Sequence, residues 1–221
     1  MIKSQLTDNQ KKFLLFFSKE ILLVKFFYFT GGTCLSEYYL NHRYSEDLDF
    51  FSEKEFNQKD ISIFLQSNKK VIGNKSIDYQ QSFNRNIFQL IYSNNSILKV
   101  EFTYFPFKRI DETKKIENMS IDSLKDIAVN KLFTIYQNPR GRDFYDLYFI
   151  LKKQTEWSLE QLIKLARIKF DFNIDYLQLG TNLTKAKLMI DDPILNKKID
   201  HKIIKEFFFN EAKKIKNNFL I

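Results

Sequence analysis

The stretch Phe29–Phe51, FTGGTCLSEYYLNHRYSEDLDFF, decides the fold of this chain. It is typical of a strand that ends in a glycine pair, followed by a short helix and a second strand that carries two carboxylates. Successive side chains of a strand point to opposite faces. Asp47 and Asp49 therefore project the same way, whereas Leu48 and Phe50 face the other side. The sequence predicts two acids on one face of an otherwise apolar strand.

The acid pair and the glycines together indicate a particular chemistry. Like charges this close repel each other, and a cation between them relieves the repulsion. Mg²⁺ is the common choice where carboxylates work with substrate phosphates. Gly31 and Gly32 allow a ligand to approach the backbone closely, and the N–H groups that open the next helix suit a phosphate. The stretch therefore indicates nucleotide chemistry.

Composition places the chain among folded proteins of a reducing compartment. Its 221 residues include 24 Phe but only 5 Gly and 3 Pro, which is atypical of disorder. Cys34 is the one cysteine of the sequence, so an intramolecular disulfide is excluded. The N-terminal sequence has no signal-like apolar core, and Ile21–Phe29 is too short to span a bilayer. We expect a soluble cytoplasmic protein without membrane association.

The net charge of +8 favours polyanionic partners such as RNA or nucleotides. The lysines are spread along the chain, however, and an ordinary solvated, lysine-rich surface is the alternative. Charge alone gives nucleic acid only a slight advantage.

Periodicity divides the chain near Pro106. Before it, the pattern predicts a first helix from the capping box at Thr7 to about Val24, and then alternating short helices and strands. The predicted strands are Phe26–Thr30, Asp47–Phe51, Ile87–Tyr92 and Ile97–Phe105, and the predicted helices are Cys34–Leu40 and Lys59–Gln66. After it, the pattern predicts helices over Ser120–Gln137, Arg142–Lys152, Ser158–Phe170, Tyr176–Ile190 and Lys198–Phe219. We predict an α+β fold with a mixed N-terminal half and a helical C-terminal half.

Four further charged residues stand at unusual positions. Glu101 lies in the middle of a predicted strand, where an acid has a partner or a function unless that face of the sheet is exposed. Lys131 falls on or beside the apolar stripe of its helix, and it either extends its stem outward to water or reaches a phosphate in a cleft. Asp143 and Asp146 share a helix face. The helix dipole explains Asp143 well and Asp146 less well.

Three blocks in this order resemble a known family. GGTCLSEYYLNHRYSEDLDFF, LKVEF and KLFTIYQNPRGRDFYDLYFIL are similar to the AbiEii/AbiGii toxin group of minimal nucleotidyltransferases, within the DNA polymerase β-like nucleotidyltransferase superfamily. The resemblance covers about half of the chain, from Phe29 to Leu151. It implies a minimal nucleotidyltransferase sheet as the catalytic core, residues 1–106. It also implies a helical domain, residues 107–221, packed on that core and completing the active site.

The resemblance also implies roles for the candidate residues. Asp47, Asp49 and Glu101 would hold the metal, Mg²⁺ (or Mn²⁺), and take part in catalysis. The triphosphate would be bound by a second set: Gly31, Gly32, Thr33, Arg43, Lys131 and Asp146. Lys131 would neutralise phosphate charge, and Asp143 would orient Lys131 or the acceptor. Glu101 is also the candidate acceptor of the proton from the attacking hydroxyl.

The reaction implied is transfer of a nucleoside monophosphate from an NTP to a hydroxyl, with release of pyrophosphate. RNA, above all tRNA, is the expected acceptor, in a toxin–antitoxin or abortive-infection system with a cognate antitoxin protein. A protein hydroxyl or a small molecule is an alternative acceptor. A nucleotide-binding module without turnover is the alternative from another class, although three converging acids speak against it.

Overall fold

The computed structural model describes residues 4–187, 193–196 and 199–217. The chain divides into two compact units. The first comprises Met1–Lys108 and Glu112–Ser123, and the second comprises Arg109–Asp111 and Leu124–Ile221. Each unit is built around its own core, and the strands described below all lie in the first.

A mixed sheet forms the centre of the first unit. Its seven strands have the order β3-β4-β5-β2-β1-β7-β6. The strands are β1 Tyr28–Thr30, β2 Leu48–Ser52, β3 Asn74–Ser82, β4 Arg85–Tyr92, β5 Ile97–Tyr104, β6 Lys114–Ile116 and β7 Met119–Ile121. Strand β2 runs antiparallel to β1 but parallel to β5, and β1 runs parallel to β7. The predicted α+β class is confirmed.

Helices of the first unit supply an aromatic core for the sheet. They are α1 Asp8–Phe17, α2 Ile21–Val24, α3 Gly31–Leu35, α4 Gln58–Ser67 and α5 Lys69–Ile72. Phe13 and Phe17 of α1 are fully buried, and the ring of Phe17 lies 4.4 Å from that of Phe50 and 5.7 Å from that of Phe102. Burial of these rings fixes which face of β2 and β5 points inward.

The first helix is shorter than predicted. The capping box between Thr7 and Gln10 forms as expected. The helix ends at Phe17, however, and a separate turn, α2, begins at Ile21. Ser18 stands at the C-cap of α1, and its hydroxyl donates to Glu117 Oε2 at 2.6 Å.

Three strands were not predicted. Strand β3 lies at one edge of the sheet with mostly exposed polar side chains, so its apolar alternation is weak. Strands β6 and β7 have three residues each, too few to show a period. The helical pattern predicted after Pro106 is therefore wrong for this segment, and the helix predicted from Ser120 begins at Leu124.

The second unit is helical. Its helices are α6 Leu124–Gln137, α7 Gly141–Lys153, α8 Leu159–Phe170, α9 Tyr176–Thr184 and α10 His201–Asn217, with a 3₁₀ turn at Lys185–Lys187. Fully buried Leu132, Leu147 and Phe208 belong to its core. Helix α8 begins at the predicted capping box of Ser158. The predicted helical residues 188–190, 198, 218 and 219 lie outside the described part of the chain. Among the residues described, no helix has the length and apolar character that crossing a membrane requires.

Candidate functional site

The glycine turn is shaped around an acid of the neighbouring strand. Thr30 pairs with Asp49 across the antiparallel β1–β2 ladder. Gly31 follows with φ of 77°, a conformation that side chains disfavour. A Cβ atom at Gly31 would collide with the carboxylate of Asp49 and approach its Cβ to 3.0 Å. The backbone of this turn therefore lies directly against Asp49, and glycine is required there.

Gly32 leaves room for a cation in the same way. A Cβ atom at Gly32 would collide with the guanidinium of Arg43. That guanidinium is buried and donates to the carbonyl oxygen of Tyr44 at 2.9 Å. The hydroxyl of Thr33 donates to the carbonyl oxygen of Asp47. Gly31, Gly32, Thr33 and Arg43, all predicted to bind the nucleotide, are thus assembled with the two acids.

The helix behind the turn continues in an unusual form. Residues Gly31–Leu35 form α3, and Ser36–Leu40 continue it as a π-helical turn that ends at Asn41 in the left-handed conformation, with φ of 49°. The hydroxyl of Ser36 donates to the carbonyl oxygen of Arg43. This bond connects the helix to the loop that carries Arg43. Helix and loop together fix the guanidinium beside Gly32.

The register of the sheet places the third acid beside the second. Asp49 and Glu101 are partners in the parallel β2–β5 ladder, so their side chains project from the same face. Asp47 immediately precedes β2, which begins at Leu48. Asp47 and Asp49 are half-buried, whereas Glu101 is buried. The three predicted acids therefore stand along two neighbouring strands, next to the glycine turn.

Two cations that the sequence did not single out bind these acids. Lys99 Nζ lies 2.8 Å from Asp47 Oδ2 and 3.9 Å from Glu101 Oε2. Arg85 binds Glu101 through two parallel bonds, each of 2.6 Å, from Nε and Nη2 to the two carboxylate oxygens. The hydroxyl of Thr103 adds a bond of 2.9 Å to Glu101. Spacing in the sequence could have indicated two of these contacts, because Lys99, Glu101 and Thr103 lie on the same face of β5.

These partners determine the protonation of Glu101. Burial alone would raise the pKa of its carboxyl, but Arg85, Thr103 and Lys99 outweigh burial and lower the pKa below its usual range. Glu101 is therefore ionised at neutral pH. A carboxylate with a lowered pKa is a weak proton acceptor. This environment suits Glu101 as a ligand for a cation better than as the predicted proton acceptor.

The donor atoms fit a divalent metal in kind. Carboxylate oxygens are the ligands that Mg²⁺ prefers, and three of the predicted residues provide them. Within the described residues, no group of three or more His, Cys, Asp or Glu side chains is arranged to hold a metal ion. Lys99 and Arg85 instead bind oxygen atoms that a metal would need. The chemistry of the acids fits the metal, and the ammonium and guanidinium groups compete for the same oxygens.

A fully buried acid that the sequence did not single out supports the end of β1. The hydroxyl of Thr30 donates to Asp122 Oδ2 at 2.6 Å, and the N–H of Ser123 donates to Asp122 Oδ1 at 3.0 Å. Asp122 has no exposed surface. Because Thr30 directly precedes Gly31, these bonds hold the strand end from which the glycine turn starts. Cys34 nearby is also buried, and burial raises the pKa of its thiol, in agreement with a packing role.

The second unit carries a separate cluster around Lys131. Lys131 Nζ lies 2.8 Å from Asp143 Oδ1 and 2.7 Å from Asp146 Oδ2. Arg140 Nε donates to Asp143 Oδ2 at 2.7 Å. Both aspartate side chains are fully buried, and that of Lys131 is 10% exposed. Lys131 thus lies inside its unit with two acids and does not extend its stem to water.

The cluster keeps Asp143 ionised. Burial would raise the pKa of the Asp143 carboxyl, but the charge of Lys131 and the bonds and charge of Arg140 lower it below its usual range. The predicted set Lys131, Asp143 and Asp146 is therefore assembled within the helical unit. Arg140, which caps this group, had not been singled out.

Solved structures share the fold of this chain. A proposed nucleotidyltransferase from H. pylori has 22% identical residues and a TM-score of 0.61, with 96% of this chain and 97% of that chain covered. JHP933 from Helicobacter pylori has 23% identical residues and a TM-score of 0.57, with 96% and 94% covered. At this identity the likeness concerns the fold, which is that of nucleotidyltransferase structures.

The family follows from the sequence match. The family model "Nucleotidyl transferase AbiEii toxin, Type IV TA system" matches residues 20–216. The chain belongs to this family of nucleotidyltransferases. An uncharacterized protein of Aquifex aeolicus (strain VF5) is 34% identical over 154 residues, which are 68% of this chain and 68% of that protein. The family predicted from the three sequence blocks is confirmed.

Proposed function

We propose that the protein transfers a nucleoside monophosphate from an NTP to a hydroxyl of RNA, with tRNA as the expected class, and releases pyrophosphate. The observation that carries the proposal is the glycine turn packed against Asp49, which is in register with Glu101, in a member of a nucleotidyltransferase family. Close backbone approach beside acids is what a metal–triphosphate ligand needs.

Asp47, Asp49 and Glu101 are the proposed ligands of Mg²⁺ or Mn²⁺. When bound, the metal would stabilise charge on the attacking and leaving oxygens. The chain's own contribution is to hold these carboxylates in place, with Glu101 ionised. Arg85 and Thr103 fix both oxygens of Glu101, and the main chain of Gly31 confines Asp49.

The proposed triphosphate site is the turn Gly31-Gly32-Thr33 with the Arg43 guanidinium behind it. Phosphoryl-type transfer depends on positioning and charge neutralisation more than on covalent help. Arg43 is held beside Gly32 by packing and by its bond to Tyr44, so its charge is available without reordering of the loop.

Lys131, Asp143 and Asp146 are the proposed contribution of the helical unit. By the family resemblance Lys131 neutralises phosphate charge and Asp146 belongs to the nucleotide-binding set. The contacts support a positioning role for the two aspartates, because both carboxylates bind the Lys131 ammonium.

A cytoplasmic toxin with a cognate antitoxin protein is the proposed setting. The support is the family, whose description names a type IV toxin–antitoxin system. The net charge of +8 agrees with an RNA acceptor. Expression of the wild-type chain should arrest growth, and expression of Asp47→Ala should not. Harmless expression of the wild type would contradict the toxin role but not the transfer chemistry.

The acceptor is identified by incubating the purified chain with Mg²⁺, total cellular RNA and each α-labelled NTP in turn. The proposal expects label on a discrete small RNA with at least one NTP. Label on polypeptide would replace RNA by a protein acceptor. Consumption of NTP without label on either macromolecule would indicate hydrolysis, with water as the acceptor, and would contradict transfer to RNA. Binding of NTP without turnover would contradict transfer altogether.

A further inference from the structure

The position of Lys99 has a consequence for how a metal reaches the site. Its ammonium lies 2.8 Å from Asp47 and 3.9 Å from Glu101, between two of the three acids proposed to hold the metal. A divalent cation and an ammonium compete for the same carboxylate oxygen. Binding of a metal to Asp47 Oδ2 therefore requires the Lys99 ammonium to move away.

The charges around the acids favour binding of the metal together with phosphate. Asp47, Asp49 and Glu101 provide three negative charges, and Lys99 and Arg85 return two positive ones. A divalent cation without nucleotide thus meets a group of side chains with only one net negative charge. An NTP brings several negative charges, which both attract the metal and offer the displaced ammonium a new partner.

Lys99 is the cation that can exchange, and Arg85 is the one that stays. The Lys99 ammonium makes a single close contact through a flexible stem, to a carboxylate that is 27% exposed. Arg85 makes two parallel bonds of 2.6 Å to a carboxylate that is only 6% exposed. A bidentate pair of this kind is stronger and more rigid than a single ammonium contact.

We propose that Lys99 excludes a divalent cation from Asp47 until a nucleotide binds. The Lys99 side chain then moves, and its ammonium exchanges Asp47 for a phosphate of the NTP as its ion-pair partner. Lys99 is in this sense a positioning residue that links metal binding to nucleotide binding. The inference deepens the proposed function and rests on it for the identity of the nucleotide.

The test measures binding of Mn²⁺ alone, without nucleotide, to the full chain by electron paramagnetic resonance of the free ion. The variants are Lys99→Met and Lys75→Met at one ionic strength. Lys75 is an exposed lysine of β3, so the second variant reproduces the change in net charge. We expect Lys99→Met to bind Mn²⁺ about three- to tenfold more tightly than the wild type, because a partly exposed ion pair opposes the metal by about this factor. Lys75→Met should stay within about twofold of the wild type, because exposed charges are largely screened.

A double variant tests whether the increase in Mn²⁺ affinity depends on Asp47. In Asp47→Asn the substitution Lys99→Met should increase Mn²⁺ affinity less than it does in the wild-type background, since the carboxylate charge for which ammonium and metal compete is absent. A merely structural role of Lys99 predicts weaker Mn²⁺ binding on its removal, the opposite sign. Equal or weaker binding by Lys99→Met, with an unchanged melting temperature, would overturn the inference. If the melting temperature of Lys99→Met is below that of the wild type, Lys99→Gln is measured instead, with the same expectations.

The two proposals fail separately. Absence of labelled product from the wild type with every NTP would contradict nucleotidyl transfer, whatever the Mn²⁺ titration shows. Labelled product from the wild type, combined with Mn²⁺ binding that Lys99→Met leaves unchanged, would contradict only the role of Lys99.

Discussion

The two lysine–carboxylate clusters of this protein use the same groups in opposite surroundings. In the first unit the side chains of Lys99 and Asp47 are 31% and 27% exposed, whereas in the second unit those of Lys131 and its two aspartates are 10% and 0% exposed. Water can replace either partner in the first cluster but neither in the second. The same kind of ion pair is therefore accessible to exchange in one unit and held in a fixed position in the other.

The reason is the cost of leaving a charge unpaired. A buried carboxylate without its cation has no solvent to compensate it, whereas a half-exposed one is simply hydrated. The first cluster is thus suited to trading partners with a ligand. The second is suited to holding groups in fixed positions. Substitutions in the two clusters should separate these roles.

The largest effect on stability is expected at Lys131. Lys131→Met removes the ammonium that binds two fully buried carboxylates, of which Asp143 keeps its bond to Arg140, and should lower the free energy of unfolding by about 3–5 kcal/mol. Urea unfolding followed by circular dichroism measures this loss. Lys164→Met is the control, because Lys164 and Glu160 form an exposed pair, with side chains 65% and 57% exposed, and should change stability by less than about 0.5 kcal/mol. Equal effects of the two variants would remove the distinction between the clusters.

The second-largest effect on stability is expected in the glycine turn beside the Lys99–Asp47 cluster. Gly31→Ala forces a side chain into a left-handed backbone and against Asp49, and should cost about 1–3 kcal/mol. Gly180→Ala in α9 is the matched control, since a Cβ atom there meets open space. Gly180→Ala should raise the free energy of unfolding by about 0.4–1 kcal/mol, measured by thermal unfolding. A Gly31→Ala protein as stable as the wild type would contradict the close packing of the turn on Asp49.

The pH dependence of stability reports both clusters. The pKa values of Glu101 and Asp143 are lowered in the folded state, so the unfolded chain binds more protons in acid and stability falls with falling pH. The loss should begin near the ordinary carboxyl pKa of about 4 and continue as the pH falls through the folded pKa values. Each carboxyl contributes at most about 1.4 kcal/mol per pH unit. Arg85→Met should flatten this dependence, because it removes the main partner that lowers the pKa of Glu101. An unchanged slope would contradict that assignment.

The smallest effect is expected at Lys99. Lys99→Met should change the free energy of unfolding by less than about 1 kcal/mol, because Asp47 becomes hydrated when its partner is lost. The measurement is the same urea titration as for Lys131→Met. A loss as large as that of Lys131→Met would show that Lys99 is structural, and would argue against an exchangeable cation.

Much of the fold could be predicted from local pattern. The glycine turn, the strand with Asp49, the hairpin of β4 and β5 and the helices α6 to α8 follow from periodicity and capping residues. Strands β3, β6 and β7 could not be predicted. One is a polar edge strand and two are too short, so pairing with neighbouring strands stabilises them rather than their own sequence pattern.

The acids of the site could also be predicted, but not their partners. Asp47, Asp49 and Glu101 stand in motifs. Asp47 directly precedes β2, and the β2–β5 register places Asp49 and Glu101 side by side. Arg85 reaches Glu101 from another strand, and Asp122 meets Thr30 across 92 positions of sequence. Such contacts depend on strand order, which one sequence does not reveal. The roles assigned to the site residues remain proposals that the variants above test.

The acids beside the glycine turn are the groups proposed to carry nucleotidyl transfer. This role is tested most directly by the rate of α-labelled NTP incorporation into RNA for the wild type and Asp49→Asn, with the melting temperature of each. We predict at least a hundredfold lower rate for Asp49→Asn, on the scale typical of losing one charge-stabilising group, with a melting temperature close to that of the wild type. Incorporation by Asp49→Asn at the wild-type rate would contradict the account.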